Sequence, residues 1–344
     1  MPTTIYDVAY KAGVSISTVS RVLNNKARVN QETRQKIEQA IEELDYRPNQ
    51  IARGLVVHKV NLIQVCFSWS SVKINLENPW YMDLLTGIND VVQERKYGLL
   101  INTISGVYDP KEVYRRVSKN AVDGVLLVSP YLKEEELTQI KDYPVPVVLI
   151  GCRVEDPLLD YVDSDNAKAV AEVVDHLVKK GHKKIACITG EVEISQNAAD
   201  RFREFRKAVA RHSLPLPENY VVGGDFGRGS GEEAMKKILA LKNRPTAVFA
   251  CNDQMAMGAW DVMEEAGLKV GKDIALVGFD DVAQASEQSY PLTTVRQDYG
   301  AISRLATQTL IDKIQNPDNW RPKHVLIPTQ LVVRKSCGAK KKTA

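Results

Sequence analysis

Short apolar runs and amphipathic stretches alternate along this chain from residue 60 onward, and this alternation restricts the fold more than any other feature. The apolar runs lie at 62–67, 98–101, 124–128, 145–150, 184–188, 247–250 and 274–277. Stretches with helical spacing between them include 80–95, 166–180, 197–212, 230–241 and 254–266. Strands that alternate with helices build βαβ units, in which helices cover both faces of a parallel sheet. A segment this long predicts an α/β core of two doubly wound parallel-sheet subdomains rather than one.

The first 58 residues carry a different pattern, because their apolar residues recur with helical spacing and strand signals are almost absent. The predicted helices, each with the residue that caps it, are 5–12 (Thr4), 16–24 (Ser15) and 31–45 (Asn30). Gly13 suits the end of the first helix. Pro48 disfavours helical geometry in the residue before it, which ends the third helix. The N-terminal segment is therefore predicted to be an all-α unit.

Basic residues are concentrated in this all-α segment. The first 60 residues hold nine lysines and arginines and six acidic residues, so they account for the net charge of +3 of the whole chain. The acidic residues cluster at 38–45, which leaves 8–36 almost purely basic. A local basic face of this kind indicates a polyanionic partner.

The five cysteines and five histidines show no spacing typical of a zinc site or of a disulfide framework. Widely separated cysteines, odd in number, favour a reducing compartment. No apolar leader lies at the N-terminus, and no apolar stretch reaches the length that spans a bilayer. We therefore expect a cytoplasmic protein with no metal, no cofactor and no membrane association.

Residues 7–20 have the residue types of a helix-turn-helix in the right order. Ala9 is small enough for two helices to cross closely, and Gly13 permits the tight turn between them. Val14 and Val19 are placed to fill the space between the helices. In a helix-turn-helix the second helix enters the major groove of DNA, where its N-terminal side chains meet base edges.

Three side chains of the second helix are predicted to point away from the small core and to read bases: Ile16, Ser17 and Arg21. Arg21 can donate two hydrogen bonds to guanine, and Ile16 can contact a thymine methyl group. Hydroxyl, amide and basic side chains suited to phosphate are those of Thr4, Tyr6, Ser15, Thr18, Asn24 and Arg28. The alternative is an ordinary three-helix packing unit with no DNA partner.

Residues 4–25 (TIYDVAYKAGVSISTVSRVLNN) and 47–55 (RPNQIARGL) resemble the lactose-repressor/galactose-repressor (LacI/GalR) family of transcription regulators, near its catabolite control protein A branch. The resemblance implies a hinge helix that folds on operator DNA. It also implies that Ala52 and Leu55 enter the minor groove at the operator centre and that Asn49 lies near phosphate. Apolar side chains inserted in this way kink DNA toward the major groove.

The composition of the hinge segment agrees with a helix that is not stable by itself. Residues 49–57 provide about two turns, which is far too few for a helix that is stable alone. Gly54 lowers the helix propensity by roughly another 1 kcal/mol. We therefore expect this segment to need a partner helix and DNA, which would make it a switch; the alternative is a plain linker.

Four segments of the core resemble the same family: 181–186 (GHKKIA), 252–259 (NDQMAMGA), 278–281 (GFDD) and 291–298 (PLTTVRQD). The resemblance implies a periplasmic-binding-protein-like fold with a small-molecule effector in the cleft between its subdomains, at the carboxyl ends of the strands. The effector-binding residues that it implies are Trp80, Tyr81, Arg201, Asn252, Asp280 and Tyr299.

These residue types suit a saccharide, because aromatic rings cover the apolar faces of a pyranose and planar polar groups bind its hydroxyls. Two alternatives stay open: Trp80 and Tyr81 could belong to the core, and Asn252 and Asp280 could cap helices. One departure from the family is notable. Where several members carry an acidic residue, residues 151–153 read GCR, so we expect an effector that differs from a simple hexose or is larger.

These observations give a domain plan. It comprises a helix-turn-helix headpiece (1–48), a hinge (49–59), a core (60–338) and a disordered tail (339–344). Within the core, the expected N-subdomain is about 60–164 plus 297–325, and the expected C-subdomain is about 165–296 plus 326–338.

The sequence predicts a repressor of carbohydrate metabolism that binds a palindromic operator as a homodimer and responds to a small-molecule effector, most simply a sugar. Regulation by a phosphorylated carrier protein is the alternative. The headpiece disfavours a transport solute-binding protein. The glycine-rich region 223–231 is not followed by the Lys-Ser/Thr pair of a phosphate loop, and no catalytic motif is present, so an enzyme is not expected.

Overall fold

The computed structural model describes residues 3–23, 29–46, 60–69, 80–105, 122–129, 137–287 and 289–338. The chain divides into two compact units, Met1–Val60 and Asn61–Ala344, called here the head unit and the core. The α-helices of the described residues are α1 (Ile5–Ala12), α2 (Ile16–Leu23), α3 (Gln31–Glu43), α4 (Trp80–Glu94), α5 (Asn166–Lys179), α6 (Gln196–Arg211), α7 (Arg228–Leu239), α8 (Asp253–Glu265) and α9 (Tyr299–Gln315).

The strands of the described residues all belong to the core. They are β1 (Leu62–Trp69), β2 (Gly98–Ser105), β3 (Gly124–Val128), β4 (Val147–Ile150), β5 (Asp160–Ser164), β6 (Ile185–Thr189), β7 (Val221–Gly223), β8 (Ala247–Ala250), β9 (Ala275–Val277), β10 (Thr294–Arg296), β11 (His324–Ile327) and β12 (Gln330–Val332). No helix among the described residues is both long and apolar enough to cross a bilayer.

The head unit confirms the three helices expected from the sequence, with α3 ending two residues earlier. Its small core contains two buried apolar residues from each helix, and Val8, Val19 and Ile37 are completely buried there. Gly13 adopts the left-handed conformation, with φ of 63°, directly after α1. A side chain at this position would be strained by the backbone angle rather than by lack of space.

The predicted caps differ in how they work. Asn30 accepts a hydrogen bond from the Thr33 amide at 2.8 Å, and Ser15 accepts one from the Thr18 amide at 3.2 Å. At Thr4 the side chain of Asp7 reaches back instead, and its carboxylate accepts from the Thr4 amide and hydroxyl at 2.8 and 2.6 Å. These bonds hold the pKa of Asp7 below its usual value and fix the starts of the helices.

Six parallel strands form the first sheet of the core, in the order β11-β5-β4-β3-β1-β2. The central strands β3 and β4 are buried at every position, as expected where both faces are covered. Helices α4 and α9 pack on one face. The 3-10 turn Thr138–Asp142 and the loop after it cover the other face.

Four parallel strands form the second sheet, in the order β7-β6-β8-β9. Its core includes stacked Phe205 and Phe249 rings, with centroids 5.9 Å apart. The chain passes between the two sheets after β5, again at β10 and again at β12. Strands β10 and β12 pair antiparallel, so the two later crossings are hydrogen-bonded to each other.

The predicted division of the core needs one correction. The boundary placed at 325 falls inside β11, which pairs with β5 from His324 to Ile327 and so belongs to the six-stranded sheet along its whole length. The boundary is therefore two residues too early. β11 was not among the predicted strands because it alternates between exposed and half-buried residues at the sheet edge, and its apolar run, 325–327, is only three residues long.

Candidate DNA-binding surface and effector site

Helix α2 has one buried and one exposed face. Val19 and Val22 are buried against the other helices of the head unit. The three predicted base-reading residues Ile16, Ser17 and Arg21 are all exposed, and 39% of the surface of Ile16 is accessible. The periodicity of the helix therefore places an apolar group, a hydroxyl and a guanidinium side by side on its outer surface.

The hydroxyls at the start of α2 form a cluster. Ser15 Oγ lies 2.7 Å from Ser17 Oγ and 2.8 Å from Thr18 Oγ1. Ser15 and Ser17 are exposed and Thr18 is half-buried. Hydroxyls can act both as donors and as acceptors, so the cluster can exchange internal bonds for bonds to phosphate or to a base edge.

The remaining phosphate candidates fall into two groups. Thr4 is exposed, and 68% of the surface of Tyr6 is accessible. Tyr10 was not selected from the sequence, but it follows Tyr6 by one helical turn and is 91% exposed. The signal that could have identified it is helical spacing that places an aromatic side chain on the solvent-facing side of the helix. The other predicted DNA contacts lie outside the described residues: Asn24, Arg28, Asn49, Ala52 and Leu55.

Close packing of α4 against α9 brings two predicted effector residues together. A Cβ atom at Gly87 would lie 2.1 Å from Ser303 Oγ and 2.8 Å from the Gly300 carbonyl oxygen, so only glycine permits this approach. Trp80 and Tyr299 are the first residues of the two helices, and their rings stack with centroids 5.2 Å apart. The helix pair thus forms an aromatic wall at its N-terminal end.

Tyr81 belongs more to the core than to this wall. It is 5% exposed and meets the Phe67 ring edge-on, with centroids 5.3 Å apart. Its ring centroid also lies 3.7 Å from that of Trp80, which is half-buried. Tyr81 therefore supports Trp80 from behind, and this contact agrees with the packing interpretation of Tyr81.

The Tyr299 hydroxyl connects the aromatic wall to Asp280. It donates a hydrogen bond to Asp280 Oδ1 at 2.9 Å. Gln297 donates to the same carboxylate oxygen at 2.7 Å and to the Tyr299 hydroxyl at 2.5 Å. Sequence reasoning did not select Gln297 as a site residue. Its position between a strand that leads out of the second sheet and the start of α9 is the signal that could have found it.

Arg201 is 4% exposed, and four contacts hold its guanidinium group. Its Nη1 donates to the Cys251 carbonyl at 2.7 Å, and its Nε donates to Asn166 Oδ1 at 2.9 Å. Its Nη1 also lies 3.9 Å from Asp280 Oδ1. The guanidinium carbon stands 3.8 Å from the centroid of the Phe279 ring. These contacts fix the orientation of the Arg201 guanidinium group.

Asn252 shows the capping geometry that was its alternative interpretation. Its Oδ1 accepts from the Met255 amide at 2.9 Å at the start of α8. Its Nδ2 donates to the Phe226 carbonyl at 2.8 Å. Both polar atoms thus have partners within the chain, and the side chain is 3% exposed. A ligand contact by Asn252 stays a prediction.

Asp280 lies in a strained turn that other residues fix in place. Its φ is 126° and that of Asp281 is 58°, so two consecutive non-glycine residues have positive φ. Asp281 is held by Arg296 and by Arg334, each at 2.6 Å. Strain of this kind persists only where the surroundings enforce it, and it is concentrated at functional sites.

Three buried carboxyl groups surround Arg201 or its partners. Burial raises the pKa of Asp280 to about 6, although Arg201, Tyr299 and Gln297 favour the charged form. Burial also raises the pKa of Asp163 to about 6. The pKa of Asp253 is raised to about 7 by burial and by the neighbouring charge of Asp280. Asp280 was selected from the sequence, whereas Asp163 and Asp253 were not, because only the packing of the core brings the three carboxyl groups together.

Five of the six predicted effector residues thus form one continuous series of contacts, from Tyr81 through Trp80, Tyr299 and Asp280 to Arg201. Asn252 follows Cys251, whose carbonyl binds Arg201. The series combines an aromatic surface with charged planar groups. A helix-turn-helix unit joined to an α/β core with such a site defines the class of DNA-binding regulators controlled by a small molecule.

Comparison with known proteins places the chain within this class. Residues 4–49 match the model of the bacterial regulatory proteins of the lacI family, and residues 174–337 match that of the periplasmic binding protein-like domain. Catabolite control protein A of Priestia megaterium is 33% identical over 338 residues, which are 98% of this chain and 99% of that protein. The chain therefore belongs to the lacI family and is a DNA-binding, effector-controlled transcription regulator.

Solved structures agree with this assignment. The crystal structure of the lac repressor dimer bound to operator and the anti-inducer ONPF has a TM-score of 0.84 at 28% identity, covering 98% of this chain and all of that one. A complex of the transcriptional regulator CelR with cellobiose has a TM-score of 0.73 at 30% identity, covering 97% and 99% of the two chains. The predicted fold class, a helix-turn-helix headpiece with a periplasmic-binding-protein-like core, is confirmed.

Proposed function

We propose that this protein represses genes of carbohydrate metabolism by binding a palindromic operator as a homodimer, and that a saccharide bound in the core controls this binding. The observation that carries the proposal is the contact series from Trp80 to Arg201. It provides a ring surface and oriented polar groups in one place, beside a turn that is strained at Asp280. Regulation, rather than catalysis, is the role that these groups support.

The outer face of α2 supports sequence-specific DNA binding. Arg21 is exposed one helical turn after Ser17, so both side chains can enter the same groove. Arg21 is assigned to a guanine and Ile16 to a thymine methyl group. Tyr6 and the hydroxyls of Thr4, Ser15 and Thr18 are assigned to phosphates, which would make the affinity fall steeply with salt.

The proposed effector site places a pyranose face against the aromatic wall of Trp80 and Tyr299. Asp280 and Arg201 would bind the hydroxyls at the rim of the sugar. Both side chains are already oriented by Gln297 and Asn166, so little ordering remains to be done when the ligand binds. Cellobiose is the ligand named for the CelR relative, which favours the saccharide class.

An apolar surface supports the proposed homodimer. Among the described residues, strand β2 is one of the two outer strands of the six-stranded sheet, and β11 is the other. Strand β2 exposes Leu100 and Ile101, which are 42% and 50% accessible, and Met82 on α4 is 60% accessible. An edge strand with apolar side chains is a liability for a monomer. The lac repressor structure is a dimer, so we assign this surface to contact with a second copy.

The other functional predictions stay predictions. The proposed hinge helix, with Leu55 and Ala52 in the minor groove, lies in 49–59, outside the described residues. Control by a phosphorylated carrier protein and a cytoplasmic location likewise remain expectations from the sequence. The headpiece, hinge and subdomain boundaries are proposed as predicted, with the end of the N-subdomain moved to Ile327.

A thermal-shift screen of the purified protein tests the effector proposal. The panel comprises mono- and oligosaccharides, sugar phosphates and nucleobases. A ligand at about 100 times its dissociation constant should add roughly 2.7 kcal/mol to the free energy of unfolding. A saccharide whose effect is abolished in Asp280→Asn supports the site. A nucleobase that binds instead, or a saccharide that binds the variant equally well, would overturn the proposal.

A further inference from the structure

A lysine-rich surface lies at the amino ends of the strands of the second sheet. Strands β6, β8 and β9 begin at this end, whereas the effector residues Asn252 and Asp280 follow the carboxyl ends of β8 and β9. The cations at the amino ends, which define the basic face, are Lys179, Lys180, Lys183, Lys184, Lys242, Arg244, Lys269, Lys272 and Lys335. The basic face is therefore separate from the proposed effector site.

Contacts within the fold hold the segments of the basic face together. The Thr246 amide donates a hydrogen bond to the Lys184 carbonyl at 2.9 Å. The Nε2 atom of His182 lies 3.2 Å from the Gly338 carbonyl oxygen. Gly338 in turn packs so closely on the Gly271 carbonyl group that a Cβ atom would not fit. The turn after α5, the loops before β8 and β9 and the segment after β12 therefore form one continuous surface.

The cations of the basic face form no ion pair among the described residues. Elsewhere in the core, carboxylates bind the side chains of Arg203, Arg211, Arg228, Arg296 and Arg334. The exposed acidic residues at the same end as the basic face are Glu218, Glu264, Glu265 and Asp273. Cations thus outnumber acidic residues there by more than two to one. The positive charge of this surface is not neutralised within the part of the chain that the structure describes.

A histidine beside the basic face is affected by this excess charge. Burial lowers the pKa of His176, and the charges of Lys180 and Lys179 lower this pKa further. The C-terminal end of α5 stabilises Lys179 and Lys180, because cations interact favourably with the helix dipole there. The other cations of the face lie outside this helix, so its dipole does not account for them.

The composition of the basic face favours nucleic acid over protein as its partner. Protein interfaces are enriched in aromatic side chains and methionine and depleted of lysine. The segments 179–184, 242–244 and 269–272 expose no large apolar side chain. Lysine and arginine bind the DNA backbone by neutralising phosphates and releasing counterions, which needs no groups that read bases. Three further lysines, 340–342, follow in the sequence, outside the described residues.

We propose that the basic face is a second DNA-binding surface, which contacts the phosphates of duplex DNA without regard to sequence. The head unit selects a sequence, whereas the basic face binds the backbone of any duplex. This inference goes beyond operator binding by the head unit, and it involves none of the proposed effector residues. The core therefore contributes a salt-dependent affinity for DNA of its own.

A full-length chain with a blocked head unit isolates the basic face. Ser17→Asp together with Arg21→Glu places negative charges on the outer face of α2, so this head-blocked chain should not bind DNA through its head unit. Fluorescence anisotropy then measures its binding to a labelled duplex of random sequence and about 30 base pairs. At about 50 mM NaCl we expect a dissociation constant of about 100 µM or tighter, as for other non-specific binding. The affinity should fall roughly a hundredfold between about 50 and 200 mM NaCl, which corresponds to about four neutralised phosphates.

Two variants of the head-blocked chain assign this binding, and each removes the same amount of positive charge. The face variant combines Lys183→Gln, Lys242→Gln, Arg244→Gln and Lys272→Gln. The matched control replaces exposed cations outside the basic face and combines Lys168→Gln, Arg206→Gln, Arg321→Gln and Lys323→Gln. The face variant should lose at least about tenfold in affinity and most of the salt dependence. The control should lose less than about threefold, since distant exposed charges are screened.

Three outcomes would overturn the inference. They are no binding by the head-blocked chain at low salt, equal losses in the face variant and the control, and tighter binding to poly-L-glutamate than to the duplex. The last outcome would assign the basic face to an acidic protein instead of DNA. Selection of a palindromic site from random DNA by the wild-type chain tests the head unit separately, so the proposed operator binding does not depend on any of these results.

Discussion

The head unit and the core present their proposed contact residues in opposite ways. In the head unit the proposed contacts Ile16, Ser17 and Arg21 stand exposed on one helix. In the core Arg201 and Asp280 are 4% and 6% exposed, and each is oriented by several neighbours. A DNA backbone is large and carries many negative charges, so an exposed protein surface is sufficient to bind it. A small ligand offers few groups, so its site must be oriented before it arrives.

The largest effect is expected from removing the central cation of the core. Arg201→Ala leaves Asp280 and Asn166 without their buried partner, so the free energy of unfolding of the core should fall by about 3–5 kcal/mol. Urea denaturation followed by tryptophan fluorescence measures this, because every tryptophan lies beyond the head unit. Arg206→Ala is the matched control and should change stability by less than about 0.5 kcal/mol. Equal stability of the two variants would show that Arg201 is not a structural centre of the core.

A core substitution in the head unit tests whether the two units are independent. Ile37 is completely buried among the three helices, so Ile37→Ala should destabilise the head unit by about 2–5 kcal/mol. DNA binding should be lost, while the midpoint of core unfolding and effector binding stay unchanged. Circular dichroism, together with calorimetric titration of the effector, checks this. Loss of effector binding in Ile37→Ala would contradict the independence of the two units.

Arg21 should determine DNA sequence specificity and should contribute little to the stability of the head unit. Arg21 is exposed, so Arg21→Ala should leave folding unchanged and weaken binding to the preferred operator by about 1–3 kcal/mol, at one base pair in each half-site. Competition binding against operators changed at single positions measures this. A uniform loss over all sequences would instead assign Arg21 to a phosphate.

The smallest expected effect is a pH dependence confined to the core. Burial raises the pKa of Asp253 to about 7 and that of Asp280 to about 6, against an ordinary value of about 4. Between about pH 4 and 7 the folded chain therefore holds protons that the unfolded chain has released. The stability contributed by these groups falls as the pH rises through this window. Asp253→Asn should show a shallower fall than the wild type in urea midpoints over the window, and an identical slope would contradict the assignment.

The sequence predicted most of what local pattern determines. Helix α1, the Gly13 turn and the buried strands β3 and β8 have the expected residues, and α2 begins at the expected residue, because period and turn chemistry are local properties. Strands β5, β7, β10, β11 and β12 were missed. Four of them are only three or four residues long, and β5 has only two consecutive apolar residues between two aspartates, so their local signal is weak.

The site residues divide in the same way, into those that a sequence motif identifies and those that only the folded structure brings together. The resemblance selected Arg201, Asp280 and Tyr299, and the structure brings them together. Neither the buried Ser164 hydroxyl, which has no hydrogen-bond partner among the described residues, nor the pairing of Arg153 with Asp200 was foreseen. Both depend on loops and helix starts that meet only after the two sheets have formed, so sequence spacing does not reveal them.

Reciprocal coupling between effector and operator is the central claim. The measurement is fluorescence-anisotropy titration of a labelled operator at fixed salt, with and without a saturating saccharide identified by the screen, and titration of the saccharide with and without operator. The account predicts that each ligand changes the affinity of the other by the same factor, about 5- to 150-fold. Operator affinity that is unchanged by a saccharide bound at Asp280 and Arg201 would contradict it.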